Sequence, residues 1–342
     1  MQTLDKKERA KELWRHCFHD PEAFIELYFR NVYKDENTLL RQDSETNSAV
    51  AHVQMLPYTL QAKKSIALPS GYISGACTIP SQRGKGIMTE LMHQALEQMA
   101  KRGDKLSFLI PAEQWLVDYY ERAASYVPTY GRSRLTFNLR NSTHKKIAES
   151  IISRYQACQG LTVRHTKEQY QVVGEDLRLS GYGGMQGEAG SDGLIFYLLK
   201  GQTLQIKGLT PEISLDTLTD LMRRWEAKAH WIEALVPCLN INEQSEAKAM
   251  IRILDVEAIL QAYPHLHNLL PSAFVLEDPQ LKLNCGIYRR ETNLFVHLRE
   301  NDRTDRKNTE CSTSKLPRIG IGELTRLWVH STEPSFFNLL LD

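Results

Sequence analysis

The chain of 342 residues is long enough for two or three domains, each with its own core. With 42% hydrophobic and 24% charged residues it has an ordinary globular make-up, and no apolar run of about eighteen residues offers a membrane span. A formal net charge of +1 leaves no basic excess for holding nucleic acid by counterion release, so no nucleic-acid partner is expected.

The opening residues, MQTLDKKERAKELW, carry mixed charge and no apolar segment, so no signal peptide is expected. Leu13, Trp14 and Phe18 form one apolar helical face. Asp20-Pro21-Glu22 then reads as the start of a second helix, with an acidic cap and proline at its first position. Phe24, Leu27, Tyr28 and Val32 continue it. Asp20, Glu22 and Glu26 could attract a cationic acceptor, but a solvated helix face is the expected role. Strands are expected from Ala49 to Pro57, Tyr58 to Ala67 and Tyr72 to Pro80. The last of these enters the turn Gln82-Arg83-Gly84-Lys85-Gly86, and a helix follows with apolar residues at 87, 88, 91, 92, 95, 96 and 99.

That junction is the informative one. A strand ending in a glycine-rich turn aims several backbone N–H groups at one point, and the helix N-terminus adds partial positive charge there. The expected ligand is a phosphate. The spacing is neither Gly-x-x-x-x-Gly-Lys-Ser/Thr nor Gly-x-Gly-x-x-Gly, which disfavours the nucleotide and dinucleotide cradles. Arg83-Gly84-Lys85-Gly86-Ile87-Met88 instead resembles the Arg/Gln-x-x-Gly-x-Gly/Ala signature of the GNAT superfamily of N-acetyltransferases. Met88 departs from the small residue usual there. A large apolar residue is tolerated in the branch resembling the mycobacterial "enhanced intracellular survival" enzymes.

Downstream, Lys101-Arg102-Gly103 ends the helix. Lys105–Pro111 reads as a strand, Gln114–Ala124 as a helix and Leu135-Thr136-Phe137 as a final strand of the first unit. Gly181 to Gly193 is glycine-rich and reads as a mobile loop. Strands at 194–199, 204–208 and 231–236 and a helix at 211–228 partly repeat the first layout, with no glycine or cation at the turn Leu209-Thr210-Pro211. Ala247–Leu260 reads as a strand and a helix capped by Asp255. Strands at 272–277, 281–289 and 293–298, an exposed stretch at 300–314 and a helix starting at Ile321 complete the chain. The resemblance therefore implies an α/β (α+β) protein of tandem GNAT-like mixed-sheet domains followed by a sterol-carrier-like α+β domain. The expected boundaries are 1–140 with the acetyl-CoA site, 141–246 without a cofactor motif, and 247–342.

The resemblance also implies site residues. Ala76, Cys77 and Thr78 would pair with the pantetheine arm of acetyl-CoA. The amides of Gly84, Lys85, Gly86, Ile87, Met88 and Thr89 would meet its pyrophosphate, with Arg83 and Lys85 adding charge. Transfer to an amine needs a proton for the leaving thiolate. Tyr120 is the first choice and Tyr119 the second, in a segment (Asp118–Tyr126) where Ser125 stands for the usual glycine and one extra residue lies before Tyr126. In the relatives the chain's terminal carboxylate acts as base, which here is Asp342, at the end of the apolar run Phe336–Leu341. The implied activity is acetyl transfer to a primary amine, small molecule or peptide, by direct attack in a ternary complex. A non-catalytic CoA-binding protein and a lipid carrier are the rivals. Cys17, Cys77, Cys158, Cys238, Cys285 and Cys311 form no C-x-x-C pair, so reduced thiols, no metal site and a cytoplasmic location are expected. His265 and His267 read as loop histidines. The family habit implies a homo-oligomer, a hexamer.

Overall fold

The computed structural model describes residues 5–62, 65–186, 193–210, 212–239, 246–292, 294–299 and 316–341. Helix α1 (Lys6–Phe18) is capped by Asp5, whose carboxylate accepts from the Glu8 amide at 2.8 Å, and α2 (Glu22–Asn31) follows. The expected cap at Asp20 does not form. Pro21 occupies the cap position, and Asp20 accepts from the Trp14 indole N–H at 2.8 Å, tying the loop to α1.

Strands β1 (Thr38–Gln42), β2 (Ala49–Ala62) and β3 (Ile66–Thr78) form an antiparallel meander. Where the sequence suggested two strands meeting at Pro57, one strand of 14 residues runs straight through. On one side of β2, pairing with β1 ends at Gln54 and pairing with a later strand begins at Thr59. Pro57 falls in that gap, where a missing N–H is tolerated. Helix α3 (Ile87–Arg102), β4 (Leu106–Leu109), α4 (Trp115–Ala124) and β5 (Val127–Asn138) complete the first stretch, with β4 parallel to β3.

The second stretch holds α5 (His144–Ala157), β6 (Thr162–Arg164), α6 (Lys167–Leu179), β7 (Gly183–Gln186), β8 (Leu194–Lys200), β9 (Thr203–Leu209), α7 (Leu215–Trp225) and β10 (Trp231–Pro237). Part of the glycine-rich segment read as a loop is thus strand β7, paired with β8 at 183–186; residues 187–192 lie outside the described ones. β10 pairs antiparallel with β5, which fuses both stretches into one sheet; with β11 (Glu246–Ile253) its order is β1-β2-β3-β4-β11-β5-β10-β9-β8-β7. The inserted β11 comes from beyond the second stretch and pairs antiparallel with both β4 and β5. The strand expected to open the third domain therefore lies inside the first sheet.

Helix α8 (Val256–Ala262), capped by Asp255 accepting from the Ala258 amide at 3.0 Å, leads to β12 (Ala273–Glu277), β13 (Gly286–Glu291), β14 (Leu294–Leu298), β15 (Arg318–Gly320) and α9 (Ile321–Ser331). These strands form a separate sheet, β14-β13-β12-β15. The stretch expected to be exposed, 300–314, lies outside the described residues. Helices α3 and α4 cover one face of the first sheet, where Ile73, Leu91, Met92, Leu96, Met99 and Leu109 pack. Helices α1 and α2 cover the other face, and its core runs on without a break into α9 and the C-terminal tail through Trp14, Tyr28, Phe108, Trp328 and Phe337. Burying side chains of this size contributes about 1.5–3 kcal/mol each. No described helix is long and apolar enough to cross a membrane.

Candidate active site

Two irregularities in β3 build the site. Its pairing with β4 stops at Ile73↔Leu109, yet β3 continues to Thr78, leaving roughly 16 Å of strand edge open on that side. On the other side, the register with β2 shifts between His52↔Cys77 and Gln54↔Ser74, so Gly75 and Ala76 together oppose Val53 in a β-bulge. Gly75 has φ +57°, and a Cβ there would stand 2.4 Å from the Trp14 ring. Glycine is required both by the left-handed backbone and by the close approach of α1. The sequence signal for this position, one of two glycines in β3, is weak, and the position is easily missed.

The face of β3 toward α1 and α2 is polar although buried. The Tyr28 hydroxyl lies 3.2 Å from Gln54 Oε1 and 3.0 Å from Ser74 Oγ. His52 stacks on Trp14 with ring centroids 5.9 Å apart, and neither of its ring nitrogens has a hydrogen-bond partner among the described residues. Gln54 Nε2 is also unpartnered there. Burial pushes the His52 imidazole down to about 3, so it is neutral at pH 7. Unsatisfied polar groups of this kind are costly in a closed core, and here they gather beside the bulge.

Past Thr78 the chain makes a single 3₁₀ turn, Pro80–Gln82, and reaches Gly84 and Gly86 at φ +78° and +79°. No atom lies within 4 Å of a Cβ built on either glycine, so the turn faces open space. Gly86 sits at the N-cap of α3 without a side-chain cap, and the first-turn amides of Ile87, Met88 and Thr89 have no carbonyl to bond inside the helix. The arrangement fits a phosphate group by backbone amides and helix dipole together. Arg83 and Lys85 are exposed. Arg83 Nε donates to the Thr78 carbonyl at 3.0 Å, folding its cation back over the end of β3, and Lys85 Nζ donates to Gln82 Oε1 at 2.8 Å.

The two tyrosines of α4 face different surroundings. Tyr120 is 8% exposed and packs into the core formed with α3. Burial, followed by the neighbouring Tyr119 and Tyr126, raises its hydroxyl strongly. Tyr119 is only partly buried, and its hydroxyl lies 3.2 Å from Thr89 Oγ1 in the first turn of α3. Burial raises it, and the Thr89 hydroxyl draws it part of the way back. Ser125, standing for the usual glycine, ends α4 at φ +56°.

The tail packs as its apolar residues suggest. Phe336, Phe337, Leu340 and Leu341 are buried, and Phe337 stacks on Phe108 of β4 at 5.2 Å. The Phe336 amide donates to Leu161 O at 2.7 Å, His165 Nε2 donates to Leu339 O at 2.7 Å, and Asn338 Nδ2 donates to Lys207 O at 2.9 Å. Tail contacts thus involve both halves of the large sheet. Asp342 lies outside the described residues. A cavity of about 1050 Å³ beside the tail is lined by Gln61, Tyr155, Arg164, His165, Phe336 and Asn338. Gln61 stands at the opposite end of β2 from Gln54, roughly 20 Å away, so this cavity is separate from the open strand edge.

The other candidates take ordinary places. Glu22 pairs with Arg15 at 2.5 Å and Glu26 pairs with Lys11 on the surface of α1 and α2. His265 Nε2 lies 3.1 Å from Ser331 Oγ, and His267 is buried with Nε2 3.0 Å from the Leu260 carbonyl. No cluster of potential metal ligands occurs among the described residues.

Residues 2–124 match the family model of the acetyltransferase (GNAT) domain. No curated protein sequence matches the chain. Among solved structures, a GCN5-related N-acetyltransferase from Anabaena variabilis ATCC 29413 is similar with TM-score 0.62 at 16% identity, over 87% of this chain and 84% of that one. Eis1 from Mycobacterium abscessus is similar with TM-score 0.61 at 12% identity, over 97% of this chain and 89% of that one. A GCN5-related N-acetyltransferase from Kribbella flavida gives TM-score 0.58 at 18% identity, over 87% and 83%. At such identities the likeness is one of fold, and it spans the tandem arrangement as well as the first domain.

Proposed function

We propose that this chain, whose residues 2–124 carry a GNAT acetyltransferase domain, transfers the acetyl group of acetyl-CoA to a primary amine by direct attack. The observation that carries the reading is the continuous path formed by the open edge of β3, its bulge and the left-handed glycine turn at the head of α3. In this reading Ala76, Cys77 and Thr78 offer backbone groups to the cofactor's arm, and the amides of Gly84 to Thr89 hold its pyrophosphate, helped by Arg83 and Lys85. The bound thioester supplies the acyl group. In this reading, backbone N–H groups at the bulge stabilise the charge that develops on its carbonyl oxygen. The acceptor approaches from the face of Tyr28, Gln54 and Ser74, where a neutral buried His52 adds no opposing positive charge.

We assign the proton for the leaving thiolate to Tyr119 in preference to Tyr120. Its partial exposure and its contact with Thr89 at the cofactor end of α3 support this, whereas Tyr120 is packed in the core. Asp342 is assigned as the base that receives the amine proton, a role that rests on the family resemblance. We also propose the division into 1–140, 141–246 and a sterol-carrier-like 247–342, with β11 lent by the third unit to the first sheet. Thiol release from acetyl-CoA over a panel of polyamines, aminoglycosides, peptide N-termini and lysine tests the function. Turnover with any amine supports it. CoA binding without turnover supports instead a CoA-binding protein, the reading favoured by the absence of a glycine at Ser125.

A further inference from the structure

Helix α1 and strand β3 run together at the site, and their contact includes two thiols. Trp14 covers Gly75. His52, paired with Cys77 across β2 and β3, stacks on Trp14, and one helical turn further along α1 the Cys17 thiol neighbours that of Cys77. Cys77 is 7% exposed, while Cys17, in the last turn of α1, is partly open to solvent. Arg83 is fixed to the Thr78 carbonyl at 3.0 Å and sets a positive charge beside both. No disulfide joins any pair of the described cysteines.

We propose that Cys17 and Cys77 are a peroxide-oxidisable thiol pair whose disulfide blocks acetyl-CoA binding. The neighbouring Cys77 thiol and the Arg83 guanidinium hold the Cys17 thiol below its usual range against burial. Cys77 is buried, and its neighbour Cys17 and burial together hold its thiol above its usual range, so the accessible Cys17 sulfur is the attacking one. The Cys17 thiolate attacks the distal oxygen of a hydroperoxide ROOH, forming Cys17–SOH and releasing ROH after protonation. The Cys77 sulfur then displaces hydroxide from Cys17, which leaves as water with the Cys77 proton. Overall two thiols lose two electrons and two protons, and ROOH becomes ROH and water. The new S–S bond is about 2.05 Å, shorter than any non-bonded sulfur–sulfur contact. Closing it draws the end of β3 toward α1, displacing Ala76 and Thr78 on either side of Cys77 from the edge that receives the cofactor's arm. This consequence rests on the reading of β3 as the acetyl-CoA strand; the thiol chemistry does not.

The full-length reduced protein is treated with a few equivalents of hydrogen peroxide and mapped by peptide mass spectrometry, and the CoA-induced rise in Tm is measured in parallel. The expected result is a Cys17–Cys77 cross-link, loss of the CoA response, and recovery of both on adding dithiothreitol. Cys17→Ser, a mild change at a helix end, should keep its CoA response through the same treatment. A sulfinic or sulfonic acid at Cys17 without the cross-link, or a disulfide to Cys158, Cys238, Cys285 or Cys311, would overturn the pair. A Cys17–Cys77 disulfide with the CoA response unchanged would overturn its effect on the cofactor. Failure of CoA to raise the Tm of the reduced protein would refute the acetyl-CoA reading itself, and the map would still decide the thiol chemistry.

Discussion

Replacing Gly86 by leucine perturbs the anion cradle at a cost that can be set beforehand. No atom lies within 4 Å of a Cβ at that position, so the side chain meets no clash, but φ is +79°. A left-handed conformation costs a non-glycine residue about 1–2 kcal/mol. In a protein of this size class, 1 kcal/mol corresponds to roughly 2–4 °C in Tm, so the ligand-free variant should melt about 2–8 °C lower. CoA at a hundred times its Kd stabilises the folded wild type by about 2.7 kcal/mol, a rise of roughly 5–10 °C. The leucine side chain fills the space where the phosphate would approach the Ile87 to Thr89 amides, and that rise should vanish. Gly103→Leu is the matching control: it sits at the other end of α3 with φ +95° and equally open surroundings, so it carries similar strain away from the cradle. Differential scanning fluorimetry with and without CoA reads both variants. A CoA response that survives in Gly86→Leu, or disappears equally in Gly103→Leu, would refute the placement of the anion at the head of α3.

Tyr119→Phe should lower turnover roughly a hundredfold or more, as loss of a general acid does, with CoA affinity kept, and Tyr120→Phe should do much less; the opposite ranking in steady-state rates would transfer the role. Removing Asp342, or appending a C-terminal tag, should reduce turnover with an intact CoA response, and full activity in both would leave the tail as packing alone. Phe337→Ala, which removes the ring stacked on Phe108, should cost about 3–5 kcal/mol by urea unfolding. Asp278→Ala should cost a similar about 3–5 kcal/mol, because Arg252, fully buried and 2.5 Å from Asp278, would keep an uncompensated charge. Burial pushes the His165 imidazole down to about 4, so the unfolded chain takes up a proton near pH 6.5 that the folded one refuses until about 4. Stability present above pH 6.5 is therefore lost as the pH falls toward 4, and His165→Asn should show a shallower decline in urea midpoint over that window.

Much of the cradle was legible because its information is local. Two glycines, a proline before them and an apolar helix after them occupy a short run, and each acts on the residues beside it. The buried tail was legible for a similar reason, since Phe336 to Leu341 is too apolar to be left in water. Surroundings, in contrast, are not written locally. Tyr119 and Tyr120 are identical neighbours, and only the packing of α4 on α3 sends one toward Thr89 and the other into the core. Asp20 has the chemistry of a helix cap, but the Trp14 indole competes for it successfully. The bulge at Gly75 depends on the register with β2, which one glycine in a strand does not specify.

The longest-range feature of the fold is β11, and it bears on how the protein comes into being. Translation delivers β4 and β5 early, but the strand that hydrogen bonds to both arrives only after the entire second stretch, at 246–253. A nascent chain that has emerged only as far as Pro237 therefore carries two strand edges facing an unfilled slot, at a stage when most N-terminal domains have already closed. The usual order, in which the first domain folds while the rest is still being made, is unavailable to this one. Chaperone dependence should accordingly concentrate in the interval before residue 253 is released. A fragment cut at the end of the first stretch is expected to aggregate through those edges, even though it holds every residue of the proposed phosphate cradle.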